Sequence, residues 1–134
     1  MTALAPVDVE TEVPCDLSTY LEGFQCFGPP VPQDLGEALP CLCVSRIGGY
    51  ERDIVVHDHY LSIDVWADTW PDAMDAACEA AGELRAMPFR EMPHQYLSVH
   101  ITTMPYDNTD PRHLDIPRCT FAATVTMRAL EDKR

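Results

Sequence analysis

The run from Tyr60 to Met87 constrains the chain most, because a half-buried strand passes there directly into an amphipathic helix. In YLSIDVWA, Leu61, Ile63, Val65 and Ala67 alternate with Ser62, Asp64 and Trp66, the period-2 pattern of a strand with one buried face. Thr69 stands three residues before Asp72, so its hydroxyl can cap the first turn while the carboxylate meets the positive end of the helix dipole. Met74, Ala77, Cys78, Ala81 and Leu84 then recur at helical spacing, opposite Asp72, Asp75, Glu79 and Glu83, and Pro88 stops the helix. A helix that follows its strand so closely folds back over the strand's apolar face. Each large side chain taken out of water there contributes roughly 1.5 to 3 kcal/mol.

The remaining elements are placed around this unit. Residues 1–14 are acidic and broken by Pro6 and Pro14, which predicts a flexible N-terminal arm. From Cys15 to Phe27 the spacing of Leu17, Tyr20, Leu21 and Phe24 predicts a short helix, ended by Gly28, Pro29 and Pro30. CLCVSRI (41–47) reads as a strand closed by Gly48 and Gly49. In Tyr50 to His59, Ile54, Val55 and Val56 have strand character, while Asp53, His57, Asp58 and His59 fit a loop equally well. Residues 94–104 alternate Leu97, Val99 and Ile101 against Ser98, His100 and Thr102, a second half-buried strand. Pro105 to Pro117 carries three prolines and reads as a long exposed loop. The last strand, Arg118 to Arg128, places Cys119, Phe121, Ala123, Val125 and Met127 on one face. The sum is one α+β domain over 15–130, followed by a tail at 131–134. It is a two-layer sandwich: a mostly antiparallel sheet of about four strands, with one long helix and one short N-terminal helix packed on it. At 134 residues the chain can bury one real core.

Charge narrows the function. The 22 Asp and Glu against 9 Lys and Arg give a net charge of −13, and no basic residue precedes Arg46. Such a surface repels nucleic acid rather than gripping it. The same acidity serves plain solubility. No apolar run approaches the ~18 residues of a membrane span, and the N-terminus lacks a signal-peptide pattern, so a soluble, intracellular protein with reduced cysteines is expected.

Chemistry is harder to find. His57 and His59 flank Asp58 and could place two imidazoles on one strand face for zinc, with a cysteine or aspartate from elsewhere in the chain, but two ligands are not a site. Cys41 and Cys43 lack the usual spacer of a metal-binding pair and read as small buried hydrophobes, while the histidines read as exposed or locally hydrogen-bonded. No nucleophile signature surrounds any cysteine, and Gly48 and Gly49 lack the spacing of a phosphate loop. The expectation is no catalysis, no metal and no cofactor. Asp64 is the odd residue, since aspartate is depleted in strands. It is either solvent-exposed or, with Ser62 and Trp66, part of a contact with another subunit.

Three stretches carry a family resemblance: LGEALPCLCVSRIGG, LSIDVWADTWPDAMDAACEAAGEL and DNTDPRHLDIPRCTFAATVTMRAL, together spanning roughly residues 35 to 130. Their order, a leucine-proline step into a strand, a strand-to-helix passage and a polar loop before a threonine-rich strand, resembles the tail terminator proteins of long-tailed bacteriophages. The resemblance implies a structural virion protein that forms a homohexameric ring. It would cap the tail tube, end its polymerisation and join the tail to the head-neck connector, with genomic DNA passing through unbound. Expected partners are other copies of the chain, the tail tube protein and the connector or stopper protein, with no membrane. The protein would sit in the virion, and in host cytoplasm during assembly. The candidate contacts are Ser62, Asp64 and Trp66 on the strand, Asp107, Asn108, Asp110, Arg112, His113 and Asp115 in the loop, and the arm 1–14. A head completion or stopper protein is the nearest alternative. A small metal-dependent enzyme using His57, His59 and a cysteine is the alternative from another class.

Val65→Asp is expected to bury an unpaired charge under the helix, a penalty of several kcal/mol and comparable with the whole stability of a small domain. The variant should be insoluble while Ser62→Asp is tolerated. Melting curves with the reverse order would put the strand in the other register.

Overall fold

A computed structural model describes residues 3–91 and 96–131. In chain order the elements are β1 (Leu4–Ala5), α1 (Val9–Ser18), β2 (Gln25–Phe27), β3 (Cys41–Glu51), β4 (Val56–Trp66), α2 (Trp70–Ala86), β5 (Tyr96–Asp107), β6 (Arg118–Arg128) and β7 (Leu130–Glu131), with single 3₁₀ turns at Leu35–Glu37 and Met87–Phe89. Five strands make one mixed sheet in the order β2-β3-β4-β6-β5. The four long strands are antiparallel, as expected, and short β2 adds a parallel edge beside β3. β1 and β7 form a separate antiparallel ribbon that brings the two ends of the chain together.

α2 starts as its sequence dictates, with Thr69 Oγ1 accepting from the Asp72 amide at 3.3 Å. Its buried face is Ala73, Ala76, Ala77, Ala80, Ala81 and Leu84, whereas Met74 is half-buried and Cys78 exposed. The stripe is thus rotated from the expected one. Alanines let the helix axis approach the sheet, and the large residues of β4 and β6 (Leu61, Ile63, Val65, Phe121, Val125, Met127) fill the layer between.

The N-terminal expectations need correction. Residues 9–14 are no flexible arm: α1 begins at Val9 and runs past Pro14, and Val7, Val9, Val13 and Leu17 are buried in the main core. Val9, Val13 and Leu17 recur every four residues, a periodicity that the internal proline disguises. Of the helix expected over 15–27 only the first four residues are helical, and Gln25–Phe27 is strand instead. Gly28 passes so close beneath α1 that a Cβ there would run into the Glu10 carbonyl, so the crossing requires glycine.

The open stretch before Tyr60 is a hairpin. The Asp53 carboxylate accepts from the amides of Val55 and Val56 at 2.7 and 3.0 Å, and Arg52 Nε donates to Asp58 Oδ2 at 2.8 Å. β5 carries register shifts, the first between Tyr96 and Ser98, so Tyr96 and Val99 turn inward and Leu97 outward, against the simple alternation. It continues through Asp107, which shortens the expected loop to 108–117. His94 and Gln95, the expected start of this strand, lie outside the described residues, as do 132–134 of the expected tail; Glu131 is in β7.

α1 and β5 are tied by a buried bond, in which Tyr96 Oη donates to Asp16 Oδ2 at 2.6 Å across 80 residues of sequence. Burial and this carboxylate both push the Tyr96 phenol up, so it stays protonated and donating. Tyr96→Phe keeps the ring and removes the donor. It should lower the unfolding free energy by about 1.5 to 3 kcal/mol, the range for a hydrogen bond to a charged group. Urea denaturation measures this, and a parental midpoint would show the bond to be energetically idle.

Candidate functional site

The sheet face away from the helices is where the predicted contacts meet. β4 is flanked on both sides, so its outward residues cannot all reach water, and the two aspartates on that face are satisfied across the sheet. Asp58 lies opposite Thr126 and Asp64 opposite Thr120, and each threonine hydroxyl donates to its aspartate, at 2.6 and 2.7 Å. Burial pushes the Asp58 carboxyl up, but the Thr126 bond and Arg52 outweigh it and hold it below the ordinary carboxylate range. Asp64 is therefore neither plainly exposed nor strained. Asn108 Nδ2 donates to Thr120 Oγ1 at 3.1 Å, and Arg118 Nε to the Asn108 carbonyl at 2.6 Å, which fixes the start of the 108–117 loop against the strand face.

Beside these bonds a second, smaller core forms from Leu35, Ala38, Cys41, Cys43 and Trp66, with Phe27, Leu39 and Ile116 packed against it. Trp66 is 4% exposed and anchors this core. Above it opens a cleft of about 690 Å³ between the 31–37 segment and the loop. Asp64, Trp66, Asp110, Arg112 and His113 all line it, so five of the nine predicted contact residues converge, and Asn108 reaches it through Thr120. Ser62 lies in the strand between Ser45 and Ala122, Asp107 caps Thr109, and Asp115 is exposed; none of the three lines the cleft. The loop is folded on its own Asx turns: the Arg112 amide bonds to Asp110 Oδ1 at 2.9 Å and holds that carboxyl below the usual range. Asp34 and Glu37, which also line the cleft, lie in the 31–37 segment without strand or helix periodicity, and Arg118, at the first position of β6, carries no local sign that it faces the cleft. The prolines at 29, 30 and 32 are the available signal that the 28–40 stretch departs from helix and strand, and its Leu35, Ala38 and Leu39 pack into the second core.

The histidine pair is not exposed. β4 begins four residues before Tyr60, which puts His57 and His59 on the side of Leu61 and Ile63. His59 is 0% exposed, and neither of its ring nitrogens has a hydrogen-bond partner among the described residues. His57 Nε2 is 3.7 Å from Glu51 Oε1. Burial, then Arg46 and His57, pull the His59 imidazole down from 6.5 to about 4, against a smaller opposing pull from Asp58. Among the described residues no three of His, Cys, Asp and Glu are grouped to hold a metal ion. Burial pushes the Cys26 thiol up to about 11 and Cys41 to about 12, and raises Cys43 and Cys119, so these four hold little of the thiolate that a nucleophile or metal ligand needs. No helix among the described residues is long and apolar enough to cross a membrane.

No protein-family model matches the chain, and no curated protein matches it.

His59 makes stability depend on pH. Below 6.5 the unfolded chain binds a proton that folded His59 refuses, so its contribution is full above 6.5 and lost as the pH falls towards 4. The difference amounts to about 3 kcal/mol. His59→Leu should remove this slope, so that parent and variant diverge in urea midpoint between pH 7.5 and pH 4.5. Parallel pH profiles would mean that the imidazole is protonated in the fold.

Proposed function

We propose that this chain is a tail terminator of a long-tailed bacteriophage: a structural, non-catalytic virion protein whose six copies ring the end of the tail tube, stop its growth and join the tail to the neck. The reading rests on the sequence likeness over roughly 35 to 130 and, in the fold, on the cleft formed by 31–37 and the 108–117 loop. It is a recognition surface carrying both charge signs, mounted on a rigid strand face through the Asn108, Thr120 and Asp64 bonds. Arg112 and His113 stand out on this acidic protein because few cations exist to answer a neighbour's carboxylates, and the Arg112 side chain is 87% exposed. The net charge of −13 suits a channel through which DNA passes without being trapped on phosphate contacts. The cleft is then the contact to the tube or the connector, and the ring itself needs further interfaces burying about 1,000 Å² each.

Arg112→Glu combined with His113→Glu should leave thermal unfolding within about 0.5 kcal/mol of the parent, as exposed substitutions do. In particles it should abolish joining of tails to heads, leaving overlong or unjoined tails in electron micrographs. Capsids that leak DNA would move the protein to the stopper position, and a copy number per tail far from six would remove the terminator reading.

A further inference from the structure

We infer that the groove between α2 and β5 is a socket for the tip of the β3–β4 hairpin of a second copy of this chain. The groove, about 280 Å³, is lined by Cys78, Ala81, Gly82, Ile101, Met104 and Pro105, almost wholly apolar, with Arg85 at its rim. Met104 is 71% exposed, a large apolar side chain in water on an edge strand.

Gly82 is the telling residue. It sits well inside α2, where glycine costs roughly 1 kcal/mol against alanine, yet a Cβ built there meets nothing within 4 Å. The single subunit has no packing need for it. A floor without a side chain is what a close-approaching neighbour requires.

The hairpin supplies the matching piece. Ile54 is 67% exposed at the tip, with Ile47 and Tyr50 exposed along the same arm. The Asp53 carboxylate and the Arg52 to Asp58 ion pair already hold the turn in shape, so little ordering remains to be done on docking. Charge also selects this occupant. On a chain of net −13, copies repel unless an apolar contact places a cation against carboxylates, and Arg85 at the groove would face Glu51 and Asp53 at the tip. Groove and tip belong to different parts of the sheet, the β5 edge and the β3–β4 turn, so the contact is head-to-tail and can close into a ring. The inference rests on the ring reading above, but its test is separable from it.

Ile54→Cys provides that test, because Cys78 is already exposed in the groove. Under mild oxidation, in concentrated protein and on assembled tails, it should give reducible multimers in which position 54 is linked to Cys78, and adding Cys78→Ser should abolish them. Gly82→Gln and Ile54→Asp should each prevent association, while mixing the two restores one-to-one pairs and nothing larger. Gly82→Ala should raise the Tm of the free subunit yet weaken association at least tenfold. Absence of the 54-to-78 linkage, or parental association by Gly82→Gln, overturns the contact even where particles hold six copies. The linkage in assemblies of another copy number keeps the contact and removes the six-membered ring.

Discussion

The alanine face of α2 against the large side chains of β4 and β6 is the packing on which the rest depends. Because the helix contributes mostly methyl groups, the sheet must supply the bulk, and Phe121, Ile63, Leu61 and Met127 do so. That commitment turns one residue of each strand pair inward and its neighbour outward without freedom of register. The outward set then has its own requirements. Cys41, Cys43 and Trp66 need cover, and the proline-rich 28–40 segment and Ile116 supply it as a second small core. Asp58 and Asp64 need donors, and β6 places Thr126 and Thr120 opposite them. The candidate recognition cleft follows from the main core by way of strand register.

Regular elements were legible in the sequence wherever one periodicity ran undisturbed. The β4 to α2 passage and β6 are examples, since alternation, cap and helix stop are all local signals. Where two signals competed, the local one misled. Pro14 hid the Val9, Val13, Leu17 stripe of α1, and the apolar spacing of Leu17, Tyr20, Leu21 and Phe24 suggested a helix where the chain turns into β2. β2 exists because Cys41, Leu42 and Cys43 offer a free edge, a tertiary cause without a local trace. Likewise the bulges of β5 moved Leu97 outward although its alternation looked regular.

The candidate site divides in the same way. Asp64 and Trp66 were suspicious as strand residues, and the polar loop was suspicious by composition; that they share one cleft is a matter of topology, since β6 brings the loop back beside β4. The histidines show the converse. Their polarity suggested a surface, but β3 and β4 each run four residues further towards the turn than their expected ends at Ile47 and Tyr60, which carries the histidines under the sheet's covered face.

The ribbon of β1 with β7 has a consequence for how the protein is made. Leu4 and Ala5 pair with Leu130 and Glu131, and Asp16 meets Tyr96, 80 positions further along the chain. A chain growing from its N-terminus therefore leaves β1 unpaired and the Tyr96 bond to Asp16 unmade until the sheet is nearly complete, although β2 and β3 can already cover the apolar stripe of α1. A chain cut short before Leu130 lacks the β1–β7 ribbon, and one cut before Tyr96 also lacks the buried bond to Asp16, so only the near-complete chain can close its fold.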